Sequence, residues 1–196
     1  MPSVTSVTSV TRSGPAVLSY NVASLLRAAP GTERRYEVDI DGLPIADGDV
    51  RLAAPIAGEV RLSRTGRSIL ARVELTTAID GSCSRCLRDV VAPIDVSLEE
   101  VALPTIDIDS GLPLDPAAEP DALRLDEHHE LDLDQPIRDA IVLAEPIALL
   151  CRPDCRGLCA VCGADLNSDP QHGHPEDDVD PRLAALANWR EHSEPN

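Results

Sequence analysis

Residues 68–80 alternate with period two. Ile69, Ala71, Val73, Leu75, Thr77 and Ile79 share one face; Leu70, Arg72, Glu74, Thr76, Ala78 and Asp80 share the other. Because side chains on an extended chain point alternately to opposite sides, this pattern predicts a half-buried strand. A shorter strand at 59–63 precedes it across a turn at 64–67. A third follows in "DVVAPIDVSLEEVAL", with Val90, Ala92, Ile94, Val96 and Leu98 inward. Its parity slips at Glu99-Glu100, which predicts a bulge or the strand's end. Between the second and third strands, "CSRC" places Cys83 and Cys86 at a hairpin tip.

Elsewhere the punctuation is equally readable. A short amphipathic segment carries Val22, Leu25 and Leu26, followed by a Pro30-Gly31 turn and another strand. "ALRLDEHHELDL" offers one or two short strands. "LDQPIRDAIVLAEP" predicts a helix with Asp134 as N-cap, Pro136 in the first turn, a stripe of Ile137, Ala140, Ile141 and Ala144, and Pro146 as the stop. "DPRLAALANW" predicts a second, C-terminal helix capped at Asp180. The expected organisation is a flexible tail over 1–16 and a β-rich domain over 17–148 with a Pro- and Asp-rich mobile loop at 104–121. Residues 149–196 then hold a cysteine module, an acidic loop and the last helix. The fold class is α+β: a mainly antiparallel sheet or barrel-like domain with a few helices and a small cysteine-rich C-terminal module.

Composition narrows the chemistry. The chain of 196 residues contains no Phe, one Trp and two Tyr, so its core is aliphatic. All 17 basic residues are arginine, which excludes a lysine-bearing phosphate loop, a Schiff-base lysine and a pyridoxal-phosphate anchor. The net charge of −17 is unevenly placed: residues 1–90 hold 11 Arg and 10 acidic residues, whereas residues 91–196 hold 6 Arg and 24 acidic residues. Such a chain repels nucleic acid over its acidic half and attracts basic proteins. No stretch reaches the roughly 18 apolar residues of a membrane span, and the start has no apolar run of signal-peptide length. A cytoplasmic protein with reduced thiols is expected, with no membrane partner and no evident small-molecule substrate.

The cysteines follow C-x-x-C at 83/86, then C-x3-C-x3-C-x-x-C at 151/155/159/162. In a C-x-x-C-G turn the backbone amides point at the first thiolate, an arrangement suited to tetrahedral zinc. Cys151, Cys155, Cys159 and Cys162 could close one structural site. Alternatively, Cys159 and Cys162 pair with His172 and His174, or with Cys83 and Cys86. A thioredoxin-like role lacks its βαβ context. The acid-flanked His128 and His129 of "DEHHELDLD" are the only candidates for a metal-dependent hydrolase, but adjacent residues on a strand face opposite ways, and a solvated acidic loop is the simpler reading. Arg61, Arg64, Arg67, Arg72, Arg85 and Arg88 gather on the hairpins and form the best candidate surface for RNA phosphates or a partner. Interspersed acids and scarce aromatics count against base stacking.

"GEVRLSRTGRSILARVELTTAIDGSCSRCLRDVVAPIDV", "LDLDQPIRDAIVLAEPIALLCRPDCRGLCAVCGADLN" and "DPRLAALANW" together resemble the YceD family, the large ribosomal RNA subunit accumulation proteins. The most specific pieces are Cys83 to Leu87, the segment Leu131 to Pro146 leading to Cys151, and Cys155-Arg156-Gly157-Leu158-Cys159 through Cys162-Gly163 to Leu166-Asn167. The resemblance implies a non-enzymatic role in synthesis, processing or accumulation of 23S rRNA and in large-subunit assembly. Its expected partners are pre-large-subunit rRNA or a basic ribosomal protein. Where such proteins tend to carry Cys-x-Cys after Leu-Asn, this chain has His172-Gly173-His174. Imidazole substitutes for thiolate at zinc, so a metal site is compatible with the change. The rival expectation is a zinc-stabilised cytosolic adaptor unrelated to ribosomes.

Overall fold

The computed structural model describes residues 8–11, 18–43, 50–115, 122–174 and 182. Its elements are β1 (Thr8–Thr11), β2 (Ser19–Asn21), α1 (Ala23–Leu26), β3 (Glu33–Ile40), β4 (Arg51–Leu52), β5 (Ile56–Thr65), β6 (Ser68–Ser82), β7 (Asp89–Leu103), β8 (Leu123–Arg124), β9 (Glu130–Asp132) and α2 (Asp134–Ala144). The expected C-terminal helix lies outside the described residues. Within the segment expected as a tail, Thr8–Thr11 run parallel to β3.

The centre of the fold is an antiparallel meander, β3-β5-β6-β7, with β1 and β8 added in parallel at its two margins and β4 pairing the far end of β6. The sheet is open rather than a closed barrel, so of the two expected forms the α+β open sheet is the one adopted. Period-two alternation decides which face is covered. Ile69, Ala71, Val73, Leu75, Thr77 and Ile79 of β6 are all buried. Against this inner face pack α1, α2 and a small antiparallel sheet of β2 and β9. Ile137 and Ile141, one turn apart on α2, are fully enclosed; each such side chain contributes about 1.5–3 kcal/mol by leaving water. Tyr20 of β2 stacks obliquely on Tyr36 of β3 with ring centroids 4.7 Å apart, joining the two sheets.

Two local expectations need correction. The register between β6 and β7 runs unbroken from Ser82↔Asp89 to Ile69↔Ala102, so Glu99-Glu100 is neither a bulge nor an end. Glu99 points outward to Arg72, at 2.7 Å. Glu100 occupies an inner-face position where that face opens into a solvent-accessible groove against α2 that also holds Gln135 and Asp139, so its carboxylate is not forced into the core. Asp134 is the first helical residue rather than the cap, a position held by Leu133 without a side-chain bond. The buried Asp134 carboxylate instead accepts the Leu18 amide at 2.7 Å and pairs with Arg138 at 3.3 Å. The adjacent Asp132 carboxylate accepts the Asp134 amide at 2.8 Å.

Candidate metal centres

The hairpin between β6 and β7 closes through Cys83. Its amide donates to the Arg88 carbonyl at 2.8 Å, its carbonyl accepts from Leu87 at 2.9 Å, and Leu87 takes a left-handed φ of 58°. After α2, the chain turns at Pro146 and lies along this tip, where Leu149 accepts the Ser84 amide at 2.8 Å. That run delivers Cys151 and Cys155 to the tip. Cys83 Sγ lies 3.8 Å from Cys155 Sγ, and Cys86 Sγ lies 3.6 Å from Cys151 Sγ. A disulfide requires about 2.05 Å, whereas sulfurs about 2.3 Å from a shared zinc stand about 3.8 Å apart at tetrahedral angles. The spacing is that of a tetrahedron's edges.

This cluster is enclosed. Cys83, Cys86 and Cys155 are buried and pack with Val90, Leu150 and Leu158. Amide groups of Cys151 and Cys86 hold the Cys83 thiol down to about 6, while burial and the neighbouring Cys155 and Cys86 thiols push Cys151 up to about 12. Four thiolates cannot crowd together uncompensated. A divalent cation at their centre would remove that conflict.

The second pair of the C-terminal run leaves this centre. Cys159 and Cys162 form a second turn, in which Cys159 and Ala164 pair at 2.8 Å, Gly163 donates to the Cys159 carbonyl at 2.8 Å, and Gly163 adopts φ 74°. Amides of Cys162 and Val161 hold the Cys159 thiol down to about 6. Both C-x-x-C turns therefore aim backbone N–H groups at their first sulfur. Facing the second turn, His174 Nε2 lies 3.2 Å from Cys159 Sγ, and His172 Nε2 lies 3.1 Å from Cys162 Sγ. Thus Cys151, Cys155, Cys159 and Cys162 do not converge on one point. They divide between Cys83/Cys86 and His172/His174, and in each group all ligand atoms lie within 4.8 Å of one another.

Asn167 joins the two turns. Its Oδ1 accepts from the Arg156 amide at 2.9 Å and the Arg152 guanidinium at 2.8 Å, and its Nδ2 donates to Asp165 at 2.7 Å. Asp165 in turn binds Arg88 at 2.7 Å, anchoring the module to the hairpin. Sequence alone does not assign these roles; the only signal is the close spacing of Asp165 and Asn167 behind the second turn. Gly157 is the other hidden contributor. It sits at φ 78°, and a Cβ there would come 2.7 Å from the Arg85 carbonyl, which accepts the Leu158 amide at 3.0 Å.

The profile described as "Large ribosomal RNA subunit accumulation protein YceD" matches residues 71–189, a span that contains all eight of these ligand atoms' residues. The chain belongs to the YceD family. Among relatives of this YceD protein, an uncharacterised protein of Mycobacterium tuberculosis is 36% identical over 129 residues, covering 65% of this chain and 58% of its own length. Another, from Mycobacterium leprae, is 34% identical over 140 residues, covering 71% and 61%. A maize chloroplastic large ribosomal RNA subunit accumulation protein homologue is 46% identical over 39 residues, 20% of this chain and 13% of that one. The chain thus spans 58–61% of the length of these mycobacterial relatives. No solved structure matches.

The six arginines of the YceD hairpins are mostly engaged within the chain. Arg61 pairs with Glu59 and, at 3.7 Å, with Glu74; Arg72 pairs with Glu99. Arg64 donates to the Ala28 carbonyl and to Gly66 at 3.0 Å. Arg85 donates to the Cys155 carbonyl at 2.7 Å, and Arg88 holds Asp165. Arg67 is exposed at the β5–β6 turn. His128 and His129 do not join a metal-ligating group among the described residues. Asp126 between them and β8 uses its carboxylate on the His128 and Glu130 amides, at 2.8 and 2.7 Å. Among the described residues no helix is long and apolar enough to cross a membrane.

Proposed function

We propose that this protein is a non-enzymatic, cytoplasmic factor that supports the accumulation of 23S rRNA and assembly of the large ribosomal subunit by holding a basic ribosomal protein. The family supplies the ribosomal context. The outer face of the sheet favours a basic protein as that partner. Glu37, Glu59 and Glu74 lie in cross-strand register on β3, β5 and β6, with Asp39 and Asp95 in the next row. The adjoining row of Arg35, Arg61 and Arg72 is already paired to Glu33, Glu59, Glu74 and Glu99. Among the described residues Glu37, Asp39 and Asp95 carry no ion pair. Like charges placed directly opposite one another across strands are unfavourable, and a basic surface laid over them relieves the repulsion. With most candidate arginines occupied, bare rRNA is the less favoured ligand.

The Cys83/Cys86/Cys151/Cys155 group is assigned as a structural zinc site. Four thiolates would fill a tetrahedral ion's coordination, so the metal would contribute to folding rather than to turnover.

The test is sedimentation of lysate on sucrose gradients, with capture of associated proteins at low and high salt. Co-sedimentation with immature large subunits, or capture of a basic ribosomal protein that is lost as salt rises, supports the proposal. Free protein at the top of the gradient, no captured ribosomal protein, and unchanged 23S rRNA in a deletion strain would overturn it.

A further inference from the structure

We propose that Cys159, Cys162, His172 and His174 form a second metal site, independent of the buried four-cysteine group, that takes a zinc-class divalent cation and exchanges it with solvent. The ligand set is two thiolates and two imidazoles, which suits a borderline-soft ion in tetrahedral geometry. Both imidazoles present Nε2 to the same point: the two nitrogens are 3.0 Å apart, and each is 3.1–3.2 Å from a sulfur. Around a zinc ion these edges measure about 3.3–3.6 Å, so a small outward movement of the four side chains accommodates it. On its far side the His172 ring turns Nδ1 toward Asp169, 3.9 Å away, a carboxylate placed to orient the ring directly or through water.

Two observations separate this site from the first. Its ligands all come from residues 159–174, one continuous stretch, whereas the first site joins residues 83 and 155 across 72 positions. It is also open: Cys162 and His174 are exposed and Cys159 and His172 only half-buried, against three buried cysteines in the other group. A metal held there orders the 159–174 loop, which meets the first site through Asn167 and Asp165 but shares no ligand with it. It is reached by water and chelators without disturbing the sheet, whereas release from the first site requires the hairpin to part from the 149–158 segment.

The inference does not depend on the ribosomal reading, and metal analysis tests it alone. Full-length protein reconstituted with Zn²⁺ under reducing conditions should hold about two ions per chain by native mass spectrometry. A chelator should remove one quickly and the other slowly, and after the first loss amide exchange should accelerate in residues 159–174 and at Arg156, whose amide Asn167 holds, but not in the sheet. Cys162→Ser combined with His174→Ala should retain a single, slowly released ion. On the unmodified chain, Co²⁺ should give the summed absorption of an all-thiolate and a mixed thiolate–imidazole site. One ion per chain with an all-thiolate spectrum alone would overturn the proposal. So would two ions leaving together, or two ions retained in the double variant.

Discussion

The side-chain amide of Asn167 donates to Cys155 Sγ over 3.5 Å, while its carbonyl oxygen clamps the Arg156 amide and Arg152. Asn167 belongs to the loop of the exposed cluster, yet it touches a sulfur of the buried one. Donation to the sulfur fixes its position.

Asn167→Asp replaces that donor with an acceptor of negative charge. It should weaken zinc retention at the four-cysteine group by about tenfold or more, read by competition with a chromophoric chelator. Asn167→Ala should lie between this variant and the parent.

Gly157→Ala tests how closely the module must approach the hairpin. The substitution demands a left-handed conformation and drives a methyl group into the Arg85 carbonyl. A loss of about 2–4 kcal/mol is expected from strain and clash together, measured by chemical denaturation of the zinc-loaded protein.

Asp134→Ala removes the buried carboxylate that receives the Leu18 amide. The orphaned N–H should cost about 1–3 kcal/mol. Hydrogen exchange should quicken at Leu18 and through β2, because this bond fastens that strand to the start of α2.

Asp126 sets a pH dependence. Its carboxylate is held below the ordinary 3.8 chiefly by the Glu130 amide, with help from the His128 amide. A folded-state value below the unfolded one means the contribution is complete above pH 3.8 and is lost as pH falls through the lower, folded value. Asp126→Ala should therefore lower Tm at neutral pH, and the gap from the parent should close as the solution is acidified below that range.

Glu37→Gln should act oppositely on folding and on association. Removing one charge of the Glu37/Glu59/Glu74 row should stabilise the chain by about half a kcal/mol. The same change should weaken capture of the basic partner, most visibly at low salt. Unaltered capture would remove the outer face from the interface.

Much was legible from the chain because it is governed by local rules. Period-two alternation marked the inner face of β6, since a strand's side chains have no freedom to choose another side. The C-x-x-C spacing marked two turns whose amides face a sulfur, because that geometry is set within four residues. The helix from 134 onward followed from its apolar stripe and Pro146. Partnership was not legible. Cys151 and Cys159 stand in one short run, and proximity along the chain suggests a shared site for all four of its cysteines. Only the long β6–β7 hairpin, carrying Cys83 and Cys86 out to its tip, and the turn after α2 bring Cys151 and Cys155 to a different centre. The same holds for Asp134, Arg72 and Arg88. Their partners, Leu18, Glu99 and Asp165, are far away in sequence and arrive through strand register and packing. Sequence determined which residues have the chemistry to bind, and the tertiary structure decided which of them meet.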